Sequence, residues 1–181
     1  MRLLLIRHPR PAVAPGICYG STDLALADSP MACAASLKAY LPAGQPLYSS
    51  PLQRCRCLAQ ALHPEPIYDP RLQEMNFGAW EMRAWNEIPR AEVDKWAADL
   101  EHFAPPGGES MHQVRLRVRS FLQDLDGEAV IVSHAGVMKL IAAEMLYLTP
   151  QECLALNFDY ASATLIDRNG IVWTSQDGNP A

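Results

Sequence analysis

Short apolar runs alternate along the chain with longer stretches in which apolar positions recur at helical spacing. Short runs of this kind are typical of buried strands, and the longer periodic stretches are typical of amphipathic helices. The predicted strands cover about 2–6, 47–49, 66–68, 129–133, 161–166 and 171–174, and the predicted helices about 30–41, 54–63, 84–99, 109–125 and 136–147. This alternation predicts an α/β fold, a three-layer α/β/α sandwich with a mostly parallel central sheet.

Length and composition predict one domain. The chain has 181 residues, of which 49% are hydrophobic, which is enough for one core and short for two. We therefore expect residues 1–181 to form a single domain. Within it, segment 76–108 carries Trp80, Trp85 and Trp96 among alanines and charged residues. One interpretation of this segment is an amphipathic helix that buries its tryptophans in the ordinary core.

Two predicted strands end on a histidine. The run Leu3–Ile6 is followed by Arg7 and His8, and the run at 129–133 is followed by His134. Open α/β sheets bind ligands at the carboxyl ends of their strands, so both histidines are candidates for one site. Arg54 reaches the same edge from the helix that follows the strand at 47–49. A nucleophile, a proton carrier and two guanidinium groups suit phosphate chemistry. The alternative for the Arg7-His8 pair alone is a surface arginine beside a histidine that caps the strand.

A tight turn follows His134. The small residues Ala135 and Gly136 allow the backbone to turn sharply into the next helix. Helix N-terminal N–H groups then face outward, which is an arrangement that binds anions.

Four segments of the chain carry the candidate chemistry: Arg7-His8, Ser49-Ser50-Pro51-Leu52-x-Arg54, Leu72-x-Glu74-Met75-x-Phe77-Gly78-x-Trp80-Glu81 and Ser133-His134-Ala135-Gly136. In order and spacing they resemble the histidine phosphatase superfamily, the phosphoglycerate mutase-like proteins. The resemblance runs from the first strand to the last third of the chain. A fifth motif is Cys18-Tyr19-Gly20-x-x-Asp23-Leu24-x-Leu26. This motif and the compact length resemble the α-ribazole phosphatase branch of cobalamin assembly.

The resemblance implies a catalytic role for five residues. His8 would attack phosphorus and form a phosphohistidine, so its imidazole must be neutral. Arg7 and Arg54 would bind the substrate phosphate and disfavour a further positive charge on that imidazole. His134 would donate a hydrogen bond to the transferred group. Glu74 would protonate the leaving oxygen and then activate water, which requires a raised pKa.

The resemblance also implies a wider substrate site. The backbone N–H of Ala135 would add an oxyanion donor, and Gly20 would contact the substrate. Segment 76–108 would be an inserted lid, whose residues Trp80, Arg83 and Trp85 would suit an aromatic leaving group. This scheme needs no metal and no cofactor.

The loop after His8 departs from the family pattern. The chain has Pro9-Arg10-Pro11 where the family commonly carries glycine and then an acidic residue. Proline fixes φ and removes an N–H, so a phosphate donor is missing from this loop. The chain also has no asparagine between residues 1 and 75 to match the phosphate-binding asparagine of the mutases. Arg10 is either an additional anion contact or a solvated loop charge.

Other phosphatase designs fit the sequence less well. None of the five cysteines has an arginine six residues further on, as a cysteine phosphatase requires. Asp124-Leu125-Asp126 has the spacing of an aspartyl-phosphate enzyme, but Gly127 follows it at the end of a helical pattern. The chain also carries no Walker loop.

Charge and hydropathy indicate which partners to expect. The net charge of −5 argues against nucleic acid. No apolar run is long enough for a membrane span, and the odd cysteine count fits a reducing compartment. We therefore expect a cytoplasmic protein that acts on a small-molecule phosphate ester, without nucleic acid or membrane partners. A homodimer is left open.

These observations predict a phosphomonoesterase that acts through phospho-His8, with α-ribazole 5′-phosphate as the first substrate to consider. The alternatives are a phosphatase of broad specificity, a mutase-like member, and a non-catalytic protein that binds phosphorylated ligands. The joint presence of the five catalytic candidates argues against the last alternative.

Overall fold

The computed structural model describes residues 1–175, which contain one six-stranded sheet. The strand order is β3-β2-β4-β1-β5-β6. Strands β1 to β4 are parallel, whereas β5 is antiparallel to β1 and β6 is antiparallel to β5. The strands are β1 Arg2–Arg7, β2 Leu47–Ser49, β3 Ile67–Tyr68, β4 Ala129–Ser133, β5 Ala163–Asp167 and β6 Gly170–Thr174. The predicted α/β fold with a mostly parallel sheet is confirmed.

Helices connect and cover these strands. The α-helices are α1 Pro30–Leu37, α2 Gln53–Leu62, α3 Arg90–Ala98, α4 Met111–Gln123, α5 Ala135–Leu146 and α6 Pro150–Ala155. Single turns of 3₁₀ helix cover Lys38–Tyr40, Pro70–Leu72, Gly78–Trp80 and Trp85–Glu87. None of the helices within residues 1–175 is long and apolar enough to cross a membrane.

Strand β1 shows how the sheet comes to lie between two helical layers. Side chains alternate between the two faces of a strand. Leu3 and Leu5 join the buried cluster formed with α4 and α5, while Leu4 and Ile6 join the cluster formed with α1 and α2. Because both faces are covered, the four central positions of the strand, Leu3 to Ile6, are all apolar and not only alternate ones.

Two element predictions need correction. The predicted helix at 84–99 is wrong in its first third, where a 3₁₀ turn at Trp85–Glu87 precedes α3. Pro89 separates the two, because proline has no N–H to continue a helical ladder. Helix α6 was not predicted, although the Thr149 hydroxyl accepts the Glu152 N–H and the Glu152 carboxylate accepts from Thr149. That reciprocal pair is a recognisable helix start.

The tryptophans of segment 76–108 form a cluster apart from the two sheet-facing cores. Trp80, Ile88 and Cys18 are its buried members, and Phe77, Val93, Trp96 and Phe103 pack against them. The interpretation that these tryptophans lie in the ordinary core is therefore wrong. The segment is closed at its base, where Glu109 N–H donates to the Asn76 carbonyl at 2.7 Å.

Candidate active site

Strands β1 and β4 bring the two histidines together. The strands are parallel neighbours, with Arg7 opposite Ser133, so His8 and His134 leave the sheet at the same edge. Their ring centroids are 5.0 Å apart. The His8 N–H donates to the Ser133 carbonyl at 3.1 Å, which extends the ladder by one residue and fixes the backbone of His8. Both side chains are buried, with 2% of His8 and none of His134 exposed.

The protonation state of His8 follows from its surroundings. Nδ1 lies 2.7 Å from the Pro9 carbonyl, and a carbonyl oxygen only accepts, so Nδ1 carries the proton. Nε2 of the neutral ring therefore keeps its lone pair. Burial and the charge of Arg54, with a smaller contribution from Arg7, lower the pKa of His8 to about 3, although the Pro9 hydrogen bond acts in the opposite direction. A neutral imidazole is the form that can act as a nucleophile.

Arg54 is fully buried and uses all of its guanidinium nitrogens. Nε donates to Nδ1 of His134 at 3.2 Å, Nη1 donates to the Thr22 carbonyl at 2.8 Å, and Nη2 donates to the Gly20 carbonyl. Because arginine only donates, Nδ1 of His134 is unprotonated and Nε2 carries the proton, which faces Ser50 Oγ at 2.9 Å. Burial, then the neighbouring His8 and Arg54, hold the pKa of His134 well below its usual value.

Arg7 lies between the sheet and an aromatic ring. Its Nη1 donates to the Phe158 carbonyl at 2.6 Å, and its guanidinium carbon lies 3.7 Å from the centroid of the Tyr160 ring. Among residues 1–175, the Arg7 Nε atom is the buried side-chain nitrogen that has no hydrogen-bond partner. A buried donor without a partner beside a nucleophile is suited to bind an incoming oxyanion.

Glu74 sits at the N-terminus of α5. Its Oε2 accepts the Gly136 N–H at 3.1 Å, and its Oε1 accepts the Met75 N–H at 3.1 Å. A Cβ on Gly136 would lie 2.5 Å from Oε1, so this carboxylate position depends on glycine. The helix start that was expected to bind an anion therefore holds the carboxylate of the chain itself. Arg117 fixes the backbone beside it through bonds to the carbonyls of Gln73 at 2.6 Å and Glu74 at 3.3 Å.

Comparison with known proteins agrees with this arrangement. Residues 3–179 match the family model of the histidine phosphatase superfamily (branch 1). The chain belongs to this superfamily. It is 31% identical over 163 residues to the adenosylcobalamin/alpha-ribazole phosphatase of Salmonella typhimurium strain LT2, covering 81% of this chain and 80% of that protein.

Solved structures support the same family. The alpha-ribazole phosphatase from Shigella flexneri superimposes with a TM-score of 0.82 at 27% identity, over 92% of this chain and 90% of that one. A phosphoglycerate mutase from Thermus thermophilus superimposes with a TM-score of 0.79 at 31% identity, over 96% and 98% of the two chains. The protein is thus a phosphatase of the histidine phosphatase type.

Three further predicted residues lie around the histidine phosphatase site. Ala135 is the first residue of α5, directly after His134. A Cβ on Gly20 would lie 1.8 Å from the Met75 carbonyl oxygen, so glycine allows the two loops to touch there. Arg10 is exposed and pairs with Asp28 at 2.9 Å. Substrate contacts by these residues stay predictions.

Several site residues were not predicted from the sequence. Glu81 organises the loop that holds Arg54, since its carboxylate accepts the N–H groups of Ser21 at 2.8 Å and Thr22 at 2.7 Å. Burial raises the pKa of Glu81, but hydrogen bonds from Thr22, Phe77 and Ser21 outweigh burial and keep that pKa low. Glu81 lies in one of the family motifs, so the resemblance could have pointed to it. Ser50 also lies in a family motif, and it contacts His134 across the fold. Cys55 and Tyr160 contact His134 and His8 respectively but lie outside the motifs, so no such signal marks them in the sequence.

Proposed function

We propose that this histidine phosphatase hydrolyses α-ribazole 5′-phosphate through a phosphohistidine intermediate on His8. The observation that carries the mechanism is the neutral His8 ring, whose Nε2 lone pair lies beside the positive charges of Arg7 and Arg54. The choice of substrate is supported by the relative that bears that name at 31% identity.

In the first step, Nε2 of His8 attacks phosphorus as the bond from phosphorus to the ester oxygen breaks. Glu74 gives its proton to the departing oxygen, so the alcohol leaves neutral. Arg7, Arg54 and the Ala135 N–H stabilise the negative charge on the three oxygens of the transferred group. The products of this step are the free alcohol and phospho-His8.

In the second step, water replaces the alcohol. Glu74 now takes a proton from water as the water oxygen bonds to phosphorus, and the bond from phosphorus to Nε2 breaks. His8 returns to its neutral form and inorganic phosphate leaves. The Pro9 carbonyl holds the Nδ1 proton throughout, so Nε2 is the nitrogen that carries the phosphoryl group.

The test is phosphate release from α-ribazole 5′-phosphate, phosphoserine, 3-phosphoglycerate and nitrophenyl phosphate without added metal. We expect kcat/KM for α-ribazole 5′-phosphate to exceed the others by about 100-fold or more. His8→Ala should lower turnover by about 1,000-fold or more with an unchanged circular dichroism spectrum. The matched control is His102→Ala, an exposed histidine outside the site, which should keep full activity.

The outcomes separate substrate from mechanism. Equal slow hydrolysis of all four esters would discard α-ribazole 5′-phosphate and keep the phosphohistidine route. Retained turnover in His8→Ala would overturn that route. A phosphoryl group trapped by rapid quenching should be stable to alkali and labile to acid, as expected of phosphorus bonded to a histidine nitrogen.

A further inference from the structure

A concavity lies directly beside the active site. It has a volume of about 260 Å³ and is formed by the loop after His8 together with two tyrosines. We call it the loop pocket, and its main lining residues are Pro11, Val13, Ala14, Ile17, Tyr19 and Tyr160.

The two tyrosines form the wall between the loop pocket and the active site. The Tyr160 ring lies 3.7 Å from the Arg7 guanidinium carbon, and its centroid lies 5.6 Å from that of the His8 ring. The hydroxyls of Tyr19 and Tyr160 are hydrogen bonded at 2.8 Å. Only 2% of His8 is exposed, and the Tyr160 ring is one of the groups packed against it, so separation of this pair opens one route to Nε2. An ester that has separated the tyrosines has the loop pocket next to its phosphorus.

The chemistry of the loop pocket favours an uncharged, flat group. Proline, valine, alanine and isoleucine side chains line it, with tyrosine rings on the side of the active site. Its one charged lining residue, Arg10, is paired with Asp28 at 2.9 Å, so no free positive charge selects a second anion. The volume is below the range of about 300–1,000 Å³ for pockets that enclose a whole ligand, and so it fits one part of the substrate.

Backbone hydrogen bonds hold the loop that forms the pocket. Ala12 N–H donates to the Ala25 carbonyl at 2.8 Å, and the Gly16 carbonyl accepts the Trp85 N–H at 2.9 Å. Proline at 11 and 15 limits the backbone further. Of the two tryptophans predicted to suit the leaving group, Trp80 is fully buried in its own cluster and Trp85 stacks on Trp96 of that cluster. The aromatic surface near His8 therefore comes from Tyr19 and Tyr160.

We propose that the loop pocket binds the ring system of the leaving group and selects phosphate esters with a fused aromatic ring. This inference rests on the proposed function, because it requires that His8 be the nucleophile. It does not require that α-ribazole 5′-phosphate be the natural substrate.

The experiment compares 2-naphthyl phosphate with phenyl phosphate, whose leaving groups have similar acidity and differ by one fused ring. We expect the wild type to prefer the naphthyl ester by about 10-fold or more in kcat/KM. Ala14→Trp fills the loop pocket, Val13→Asp places a charge in it, and both should bring this ratio to about 1–2. Ala12→Trp is the matched control, because Ala12 is an exposed residue of the same loop that does not line the pocket.

A second readout is independent of the leaving group. Inorganic phosphate loses one oxygen as water when Nε2 of His8 bonds to phosphorus, and it gains one from labelled water on hydrolysis. The rate of ¹⁸O exchange into phosphate should stay within about 2-fold of wild type in all three variants, because they leave His8 intact.

Two results would overturn the inference: a naphthyl to phenyl ratio near one in the wild type, or a ratio that neither pocket variant changes. A different result would reject α-ribazole 5′-phosphate as the substrate. Poor hydrolysis of α-ribazole 5′-phosphate together with a ratio that collapses in the pocket variants would discard that substrate and keep the loop pocket.

Discussion

At the scale of single residues, the chemistry depends on keeping His8 neutral. The sequence places arginines near His8, which predicts repulsion of an added proton. The fold adds a larger effect, since burial is the first cause of the lowered pKa and the charge of Arg54 comes after it. The carbonyl of Pro9 then selects the tautomer. This acceptor is a main-chain carbonyl, so it does not depend on proline at position 9.

The low pKa of His8 predicts a pH-dependent stability. The folded state keeps this ring unprotonated down to a pH of about 3, whereas the unfolded chain protonates it near 6.5. The unfolded state then binds more protons between these values, so the free energy of unfolding should rise with pH. The slope is at most about 1.4 kcal/mol per pH unit for each such histidine, and His134 adds to it. Urea unfolding between about pH 5 and 6.5 measures the slope.

The matched variant for this prediction is His8→Asn. This substitution removes one histidine whose pKa is lowered by folding. The pH dependence of the free energy of unfolding should therefore decrease by up to about 1.4 kcal/mol per pH unit. An equal slope in His8→Asn and the wild type would show that His8 does not hold its low pKa in solution.

The site residues differ in how far they could be predicted. His8, His134 and the arginine Arg7 follow apolar runs, and strand ends of one parallel sheet meet at one edge. Tyr160 could not be placed, because its contact with Arg7 depends on the sharp turn before β5, where Ala161 adopts a positive φ of 50°. The family motif includes Ser50 but gives it no role. Its contact with His134 forms only when β2 lies beside β4 in the sheet.

At the scale of elements, helix α5 and Glu74 act as one unit. The carboxylate accepts the Gly136 N–H, so the helix start orients the group predicted to be the general acid. Gly136→Ala places a methyl group 2.5 Å from Glu74 Oε1 and should displace this flexible side chain. We expect kcat to fall by about 10–100-fold. Stability should not fall, because alanine is favoured over glycine within a helix by about 0.5–1 kcal/mol.

A double-mutant cycle checks the route of this effect. In a Glu74→Ala background, Gly136→Ala should cause no further loss of kcat, because the displaced group is absent. Additive losses in the double variant would mean that Gly136→Ala acts on something other than Glu74. Thermal unfolding of Gly136→Ala provides the stability comparison.

The elements also show which local rules decide the fold. The strands β1 and β4 were predictable because both faces are buried and the apolar run is continuous. Pro89 is a sequence signal for a helix boundary, since α3 begins directly after it. The spacing of the tryptophans nevertheless predicted one continuous helix across this position. That spacing reflects a cluster formed by a 3₁₀ turn, α3 and a loop, which periodicity along a single helix does not describe.

At the scale of the whole molecule, the buried apolar side chains form three separate clusters. Two lie against the two faces of the sheet, and the third lies within segment 76–108 and includes Cys18. Backbone bonds join this segment to the loop after His8, since Cys18 N–H donates to the Arg83 carbonyl at 2.8 Å. The segment can therefore affect the active-site loop without sharing a core with the sheet. Its role as a lid stays a prediction.

Trp80→Ala should separate the third cluster from the sheet. Loss of a fully buried tryptophan removes about 3–5 kcal/mol of packing, more than a small cluster can tolerate. We expect amide hydrogen exchange in segment 76–108 and at Cys18 to accelerate by about 100-fold or more. Amides of β1 and β4 should keep their protection.

Trp173→Ala is the comparison for this variant, because Trp173 lies on β6 and packs against Tyr40, outside the third cluster. Its effect should be confined to that side of the sheet. If Trp80→Ala accelerated amide hydrogen exchange equally in β4 and in segment 76–108, strand and segment would unfold together, and the prediction would be wrong.

The position of β1 also has a consequence for protein synthesis. This strand is made first, yet its neighbours in the sheet are β4 and β5. At a synthesis rate of about 5–20 residues per second, roughly 6–25 s pass before β4 leaves the ribosome. During that interval four consecutive apolar side chains and the adjacent nucleophile have no sheet to join. The nascent chain therefore exposes an apolar segment early, and its two histidines can meet only after His134 has been translated.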